Sequence, residues 1–313
     1  MALTLGIDIG GTNVSFGVVG IDNHIYLKHK FKTKEFKSAQ DCLKNIYEYI
    51  SVNYSNYFQN ITKVGIGAPM IDAHSGIMKN AANLNWAQPV NMRQLAIDIF
   101  GVEVRVENDA NIVAYGEWKL GKAKNCNNSL IITIGTGVGG ALIIDNSLYN
   151  GTTGYAGEIG HMIYERQGRA CKCGRKGCYE KYISASGIVQ TYQELKQRYD
   201  SPILTNLERS GIEIDPQLIY EAAKREDALA LNVYAYTGEV LGFMMSDLIC
   251  CLNPEKIILY GGILHTSDIL LPFVMQSFEQ HILGIYKNSV SIEVSDIDGE
   301  DMGILGASAL FHN

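Results

Sequence analysis

Within eighteen residues the chain places His161, Cys171, Cys173 and Cys178, one imidazole and three thiols. Gly168, Gly174 and Gly177 allow the connecting loop to fold around one point. Three thiolates and an imidazole fill all four positions of a tetrahedral Zn²⁺ and leave none open, the arrangement of a structural ion. A set of free or redox-active thiols is the alternative, which the compact spacing and the added histidine disfavour. Cys42, Cys126, Cys250 and Cys251 read instead as small core residues.

Carboxylates gather in two places. Asp109 follows Asn108 at a strand-to-helix junction, so Asn108 can cap the helix while the positive helix end keeps Asp109 ionised. An ionised carboxylate there can accept the proton that an alcohol loses as it attacks a γ-phosphoryl group. A purely capping role explains the pair equally well. Glu158 and His161, three residues apart, face the same way if they share one helical turn. Glu180 follows the last thiol by two residues, so the metal loop would position it too. Together with the amides of Asn83 and Asn108 these groups suit a polyol, whose hydroxyls pair with bidentate acceptors and amides. Trp86 and Trp118 either flank a sugar or fill the core.

Two glycine-rich turns raise the question of phosphate. Gly135-Thr-Gly-Val-Gly-Gly140 matches the dinucleotide fingerprint, but that fingerprint must open a helix, and Ala141 to Ile144, bounded by Asp145 and Asn146, reads as a strand. Between strands, such a turn exposes backbone N–H groups as an anion nest. Gly10, Gly11, Thr12 and Asn13 form a second turn in the matching position. A tight hairpin that needs positive φ is the plainer explanation of either turn alone; two of them point to a polyphosphate. Asp8, just ahead of the first turn, would hold Mg²⁺ directly or through water, and Thr12 and Thr136 offer hydroxyls.

The elements that must position these groups follow from periodicity. Residues 3–9, 14–20 and 25–31 read as an antiparallel meander, followed by a helix over 38–52 and a strand over 64–68. A helix near 91–100, a strand over 102–106 and a helix to about Lys119 follow. From Leu130 the order strand, glycine turn, strand recurs about 125 residues after its first appearance, which predicts two related α/β lobes that touch across a cleft. The first lobe is expected over 1–115, joined by the C-terminal helix 300–313, and the larger second lobe over 116–299 with the cysteine loop. Long helices between 216 and 252, a strand over Lys256 to Tyr260 ahead of Gly261 and Gly262, a strand near 289–294 and a helix over 302–311 complete the pattern. The apolar stretch 228–252 contains Asn232, Glu239 and Asp247, which predicts a core helix rather than a membrane span.

With 313 residues, 47% of them hydrophobic, the composition excludes a disordered or fibrous chain. At this length roughly 75% of the unfolded chain's surface can be buried, so a metal is not needed merely to hold a core. A net charge of −7 without any basic run argues against nucleic acid as a partner. The N-terminus lacks the pattern of a signal peptide, and seven cysteines suit the reducing cytoplasm, with no membrane partner.

Read together, Asp8-Ile-Gly-Gly-Thr-Asn13, Glu107-Asn-Asp-Ala-Asn111, Gly135 to Gly140, Ala156-Gly-Glu-Ile-Gly-His161, the cysteine segment ending in Glu180, and Gly261-Gly262 resemble the ROK family of sugar kinases and repressors. The resemblance spans Asp8 to the Gly-Ala near residue 306. It implies a two-lobed, actin-like, hexokinase-type (ribonuclease H-like) α/β fold that closes over sugar and ATP. It further implies transfer of the γ-phosphoryl of Mg-ATP to a hexose hydroxyl, O6 of glucose first, with N-acetylglucosamine, N-acetylmannosamine, mannose or fructose as alternatives. Carried over by position, Asp109 would be the base, with Asn83, Asn108, Glu158, His161 and Glu180 on sugar hydroxyls. His161 would also ligate zinc with Cys171, Cys173 and Cys178. Asp8, Gly10, Gly11, Thr12, Asn13, Gly135, Thr136 and Gly137 would serve the phosphates and magnesium, and Gly261 and Gly262 the adenosine. The family also implies a homodimer. Its repressors carry a DNA-binding helix-turn-helix ahead of the sugar-binding fold, for which no residues are available before Asp8; a sugar-sensing regulator lacking that domain is the rival function. Three departures stand out: Met70 where glycine is usual, Tyr260 where another glycine often precedes Gly261, and a short Asn83-Leu-Asn-Trp86 segment.

Overall fold

The computed structural model describes residues 2–79, 81, 84–297 and 299–312. Strands β1 (Leu3–Ile9), β2 (Asn13–Val19) and β3 (Ile25–Lys32) form the expected antiparallel meander. Helix α1 (Ala39–Asn53) starts where the Ser38 hydroxyl accepts the Asp41 N–H, and it buries Cys42, Leu43, Ile46 and Ile50 on one face. After α2 (Ser55–Phe58) comes β4 (Ile61–Ala68), then the short strands β5 (Ile71–Asp72), β6 (Ile77–Met78) and β7 (Val90–Asn91), which form a small sheet of their own. Next come α3 (Met92–Phe100), β8 (Glu103–Asn108) and α4 (Asp109–Lys119).

The first sheet has the order β3-β2-β1-β4-β8, with β1, β4 and β8 parallel. Asp8 is in register with Gly67, and Gly67 with Glu107, so the carboxyl ends of the three parallel strands emerge together. In open α/β sheets that edge is where ligands bind.

Past α4 the chain forms β9 (Ser129–Ile134), β10 (Val138–Ile144) and β11 (Ser147–Leu148). Because β10 is a strand, the dinucleotide fingerprint is excluded by its context, as the sequence implied. Helices α5 (Glu180–Ile183), α6 (Ala185–Leu195), α7 (Pro202–Arg209), α8 (Pro216–Ala223) and α9 (Ala228–Leu252) follow. The chain ends with β12 (Lys256–Tyr260), α10 (Ser267–His281), β13 (Ser291–Val294) and α11 (Gly299–Ala309). The second sheet has the order β11-β10-β9-β12-β13, in which β9, β12 and β13 are parallel. This mixed α/β architecture, with a strand, glycine turn and strand opening each half, is the actin-like, hexokinase-type fold.

The chain divides into two compact units, one of Met1–Cys126, Ala141–Ala156 and Ser295–Asn313, the other of Asn127–Gly140 and Gly157–Val294. In the first, α11 lies directly on the sheet: a Cβ on Gly6 would fall 2.2 Å from the Ile304 carbonyl oxygen, and one on Gly65 would fall 1.9 Å from that of Ala307. Only the missing side chains allow that approach. In the second, α9 packs against α10, α6 and α8. Among the described residues it is the one helix long and apolar enough to cross a membrane, and it serves as a core helix, burying Leu241, Met244, Met245 and Leu248 among others.

One core assignment needs correction. Cys42 and Cys126 are buried, but Cys250 and Cys251 are exposed, because the buried run of α9 ends at Ile249 and the last turn leads to the left-handed cap Asn253. Of the two readings open for Trp86, the core prevails: it is 6% exposed and its indole N–H donates to the Phe36 carbonyl at 3.1 Å. Met70 has φ 52, a left-handed backbone that costs a side chain about 1 kcal/mol or more, which accounts for glycine being usual there.

Candidate active site

At the carboxyl ends of β1 and β8 stand Asp8 and Asp109. Burial, and secondarily the charge of Asp109, push the Asp8 carboxyl from an ordinary 3.8 up to about 7. Helix α11 contributes to that burial: a Cβ on Gly303 would fall 2.4 Å from Oδ2 of Asp8. A buried carboxyl whose ionisation a neighbouring carboxylate opposes, at a strand edge, offers oxygen donors suited to a hard divalent cation such as Mg²⁺.

Asn108 is the N-cap of α4, and its Oδ1 accepts the Ala110 N–H at 2.9 Å. Oδ1 of Asp109 accepts the same N–H at 3.0 Å. Behind them Glu107, itself buried, accepts the Asn108 N–H and the Asn111 amide, both at 2.9 Å. Burial raises the Glu107 pKa, and these two hydrogen bonds oppose the shift. Asn111 in turn donates to Asn150 at 3.0 Å. This chain of bonds fixes the strand-to-helix corner that presents Asn108 and Asp109. Nothing in the sequence singles out Asn150, whose partner is 39 residues away.

The first glycine turn is held from the same side. Gly10 N–H donates to Asn13 O at 2.9 Å, Thr33 Oγ1 donates to Gly10 O at 2.7 Å, and Thr33 N–H donates to Thr12 O at 3.0 Å. Lys32 Nζ reaches Oδ1 of Asn13 at 2.9 Å. The carbonyls of Gly10, Thr12 and Asn13 are thereby spent inside the fold, where they do not repel an anion. Among the described residues with positive φ, neither Gly10 to Asn13 nor Gly135 to Gly137 contributes one, so these glycines are not explained by hairpin geometry.

In the second unit His161, Cys171, Cys173 and Cys178 bring their ligand atoms within 4.8 Å of one another. Nδ1 of His161 lies 3.8 Å from Sγ of Cys171, and Sγ of Cys173 lies 3.6 Å from Sγ of Cys178, spacings of the edges of a tetrahedron around Zn²⁺. None of the cysteines is in a disulfide. Gly174 (φ 89) and Gly177 (φ 76) turn the loop, and a Cβ at Gly177 would strike the Glu165 carbonyl. The thiols pull apart electrostatically: burial and the neighbouring thiols push Cys178 up to about 12. For Cys173, burial is outweighed by hydrogen bonds from Arg175 and the adjacent thiols, so its pKa falls to about 6. Thiols crowded in this way fit a cation that would let all three ionise.

Imidazole edges face two ways. While Nδ1 of His161 belongs to the thiol cluster, Nε2 lies 4.0 Å from Oε2 of Glu158, which immediately precedes the 3₁₀ turn Ile159–His161. Glu180 opens α5, and its Oε2 accepts the Val138 N–H at 3.2 Å. The turn Gly135–Gly137 follows β9 and Gly261 follows β12, adjacent parallel strands, so both leave the sheet at one edge. They touch: Gly261 has φ 116, and a Cβ there would fall 2.4 Å from Ile134 O.

Each unit thus collects its own subset. Asp8, Gly10 to Asn13, Asn108 and Asp109 belong to the first, and Gly135 to Gly137, Glu158, His161, the three cysteines, Glu180, Gly261 and Gly262 to the second. Asn83 lies outside the described residues. Trp118 stands at the far end of α4 from Asp109, with the Lys119 ammonium 3.6 Å from its ring centre.

The sequence model of the ROK family matches residues 4–313. A glucokinase of Halalkalibacterium halodurans is 30% identical, with 98% of this chain and 94% of that protein covered. A xylose repressor of Bacillus spizizenii is 27% identical over 98% of this chain and 76% of its own length. Among solved structures, a ROK family glucokinase from Streptomyces griseus in complex with glucose and AMPPNP superposes with a TM-score of 0.80 at 29% identity, covering 99% of both chains.

Proposed function

Because the chain belongs to the ROK family, we propose that it is an ATP-dependent sugar kinase that transfers the γ-phosphoryl of Mg-ATP to a hexose hydroxyl, O6 of glucose in the first instance. The observation that carries this reading is the pair Asp8 and Asp109 at one strand edge, where burial and mutual charge hold the Asp8 carboxyl near 7. Asp109 takes the proton from the attacking hydroxyl as the new O–P bond forms and the bond from the γ-phosphorus to the ADP oxygen breaks. Its place at the positive end of α4 favours the ionised form that a base requires. Asp8 would hold Mg²⁺, which supplies charge neutralisation of the phosphates and of the leaving ADP. In this reading Gly10 to Asn13 and Gly135 to Gly137 present the phosphate-binding turns and Gly261 and Gly262 border the adenosine; the space around Gly262 is open.

Asn83, Asn108, Glu158, His161 and Glu180 bind the sugar hydroxyls in this reading. His161, Cys171, Cys173 and Cys178 would hold Zn²⁺, whose contribution is to fix the loop. The imidazole links the two tasks, because one nitrogen faces the thiols and the other the Glu158 carboxylate. The same reading expects a homodimer working in the cytoplasm, measurable by light scattering of the pure protein.

An ADP-release assay with Mg-ATP and equal concentrations of glucose, mannose, N-acetylglucosamine, N-acetylmannosamine, fructose and allose tests the function. Turnover with a marked preference for one hexose is the expected result. Sugar binding without turnover on any of them would replace the kinase by a sugar sensor.

A further inference from the structure

The second glycine turn is built into the sugar-binding elements at several points. Oε2 of Glu180 accepts the N–H of Val138, the first residue after the turn, at 3.2 Å. Gly137 is not at positive φ; what requires glycine there is Glu180 itself, since a Cβ would fall 2.8 Å from its Oε2. Five residues on, Ala185 N–H donates to Gly135 O at 2.8 Å, so the segment that opens with Glu180 grips the turn at both ends. The strand leaving the turn is clasped from the other side by the Gly157 to His161 segment. A Cβ on Gly160 would fall 2.2 Å from Val138 O, and one on Gly140 would fall 2.7 Å from Ile159. Glu158 and His161 lie on that segment.

From this geometry we infer that Glu180 couples the two substrate sites: one carboxylate oxygen anchors the phosphate-binding turn through Val138 while the other engages a sugar hydroxyl, so that sugar occupancy orders the turn and tightens nucleotide binding. The inference rests on the kinase reading. A carboxylate that already accepts a backbone N–H on one oxygen is oriented, and a second bond from a sugar hydroxyl removes the rotamer freedom that otherwise loosens the first. Of Glu158, His161 and Glu180, the described residues of the second unit assigned to the sugar, Glu180 is the one whose side chain holds the turn's backbone, at Val138 N. Coupling between sites of this kind is typically about 5- to 150-fold in affinity, and it is reciprocal.

The test is calorimetric titration of a non-hydrolysable ATP analogue with magnesium into the whole protein, with and without saturating sugar from the preferred hexose. The wild type should bind the analogue at least about fivefold tighter in the presence of sugar. Glu180→Ala, titrated at sugar concentrations raised to saturation, should bring that ratio to one. Glu158→Gln should weaken sugar binding yet keep the ratio, because its side chain does not hold the turn. Glu180→Gln retains an acceptor for the Val138 N–H and should retain part of the coupling. An undiminished ratio in Glu180→Ala, or equal loss in Glu158→Gln, overturns the assignment. Wild-type protein that binds both ligands without coupling overturns it too and leaves the kinase reading standing, whereas failure to bind either ligand overturns both.

Discussion

Replacing Asp8 by asparagine should stabilise the protein in magnesium-free buffer while abolishing phosphoryl transfer. The unfolded carboxyl ionises from about 3.8 upward, but the folded one, buried beneath α11 and facing Asp109, ionises only near 7. Between those values the unfolded state loses its proton first, so rising pH favours unfolding, and the penalty on the native state grows until the folded carboxyl has itself ionised, after which it stays constant. A rise of roughly three pH units corresponds to about 4 kcal/mol above pH 7, and to about 1.6 kcal/mol at pH 5, only about one pH unit above the unfolded pKa. The substituted amide carries no charge at any pH, so the variant's advantage over the wild type should grow from pH 5 to pH 8 by about 2 to 3 kcal/mol, several degrees in melting temperature for a unit of this size. Thermal melts of both proteins across that range, without added magnesium, measure it directly. Adding magnesium with ATP should raise the wild-type melting temperature more than that of the variant, since the cation offsets the repulsion only where Asp8 is present. A variant no more stable at pH 8 than at pH 5 relative to wild type would refute the burial argument, and so would a variant less stable at both.

Asp109→Asn, which keeps shape and the cap bond to Ala110, should leave sugar binding nearly intact and lower kcat by about 10²- to 10⁴-fold; unchanged turnover would remove it from the role of base. Cys173→Ser should lower both zinc content by atomic absorption and sugar affinity, and equal zinc stoichiometry in mutant and parent would count against the metal centre. Gly65→Ala places a methyl against the Ala307 carbonyl and should destabilise the fold by about 2 kcal/mol or more in urea titrations, with Gly6→Ala behaving alike; a neutral result would mean that α11 does not lie on the sheet as described.

Much of this architecture is legible from local pattern. The β1 to β3 meander, the strand at Lys256–Tyr260 and the cap at Asn108 have signals within a few residues, an alternation, a turn or a capping side chain. The grouping of His161, Cys171, Cys173 and Cys178 is legible because their spacing is compact enough to be read as one site. What escapes has partners far along the chain. Thr33 pins the first turn from 23 residues away, and Asn150 steadies Asn111 from 39 away, contacts that exist only once the sheet has formed. Cys250 and Cys251 leave the core, and Trp86 settles into it, for a different reason: hydropathy says how apolar a residue is and not which way its helix or loop turns, and only the fold decides that. The segment of α5, α6 and α7 goes unplaced in the sequence reading although Ser184 caps α6, and Ser201 with Pro202 opens α7; Glu180 and its bond to the glycine turn sit at its start.

Helix α11 also sets the order in which the protein can be completed. Residues 295–313 belong to the first unit, and the sheet that carries Asp8 receives its covering helix from the end of the chain, with Gly303 packed against a carboxylate near the opposite terminus. As the polypeptide is synthesised from its N-terminus, the second unit has all its residues by Val294, while the first unit still exposes the face of β1 and β4 around Gly6 and Gly65. The unit that contains β1 therefore finishes folding after the second unit has all its residues, and the desolvated environment of Asp8 cannot arise before α11 is released. A nascent or C-terminally clipped protein would hold the cysteine loop and the second glycine turn in place and yet lack the helix that covers the sheet carrying Asp8.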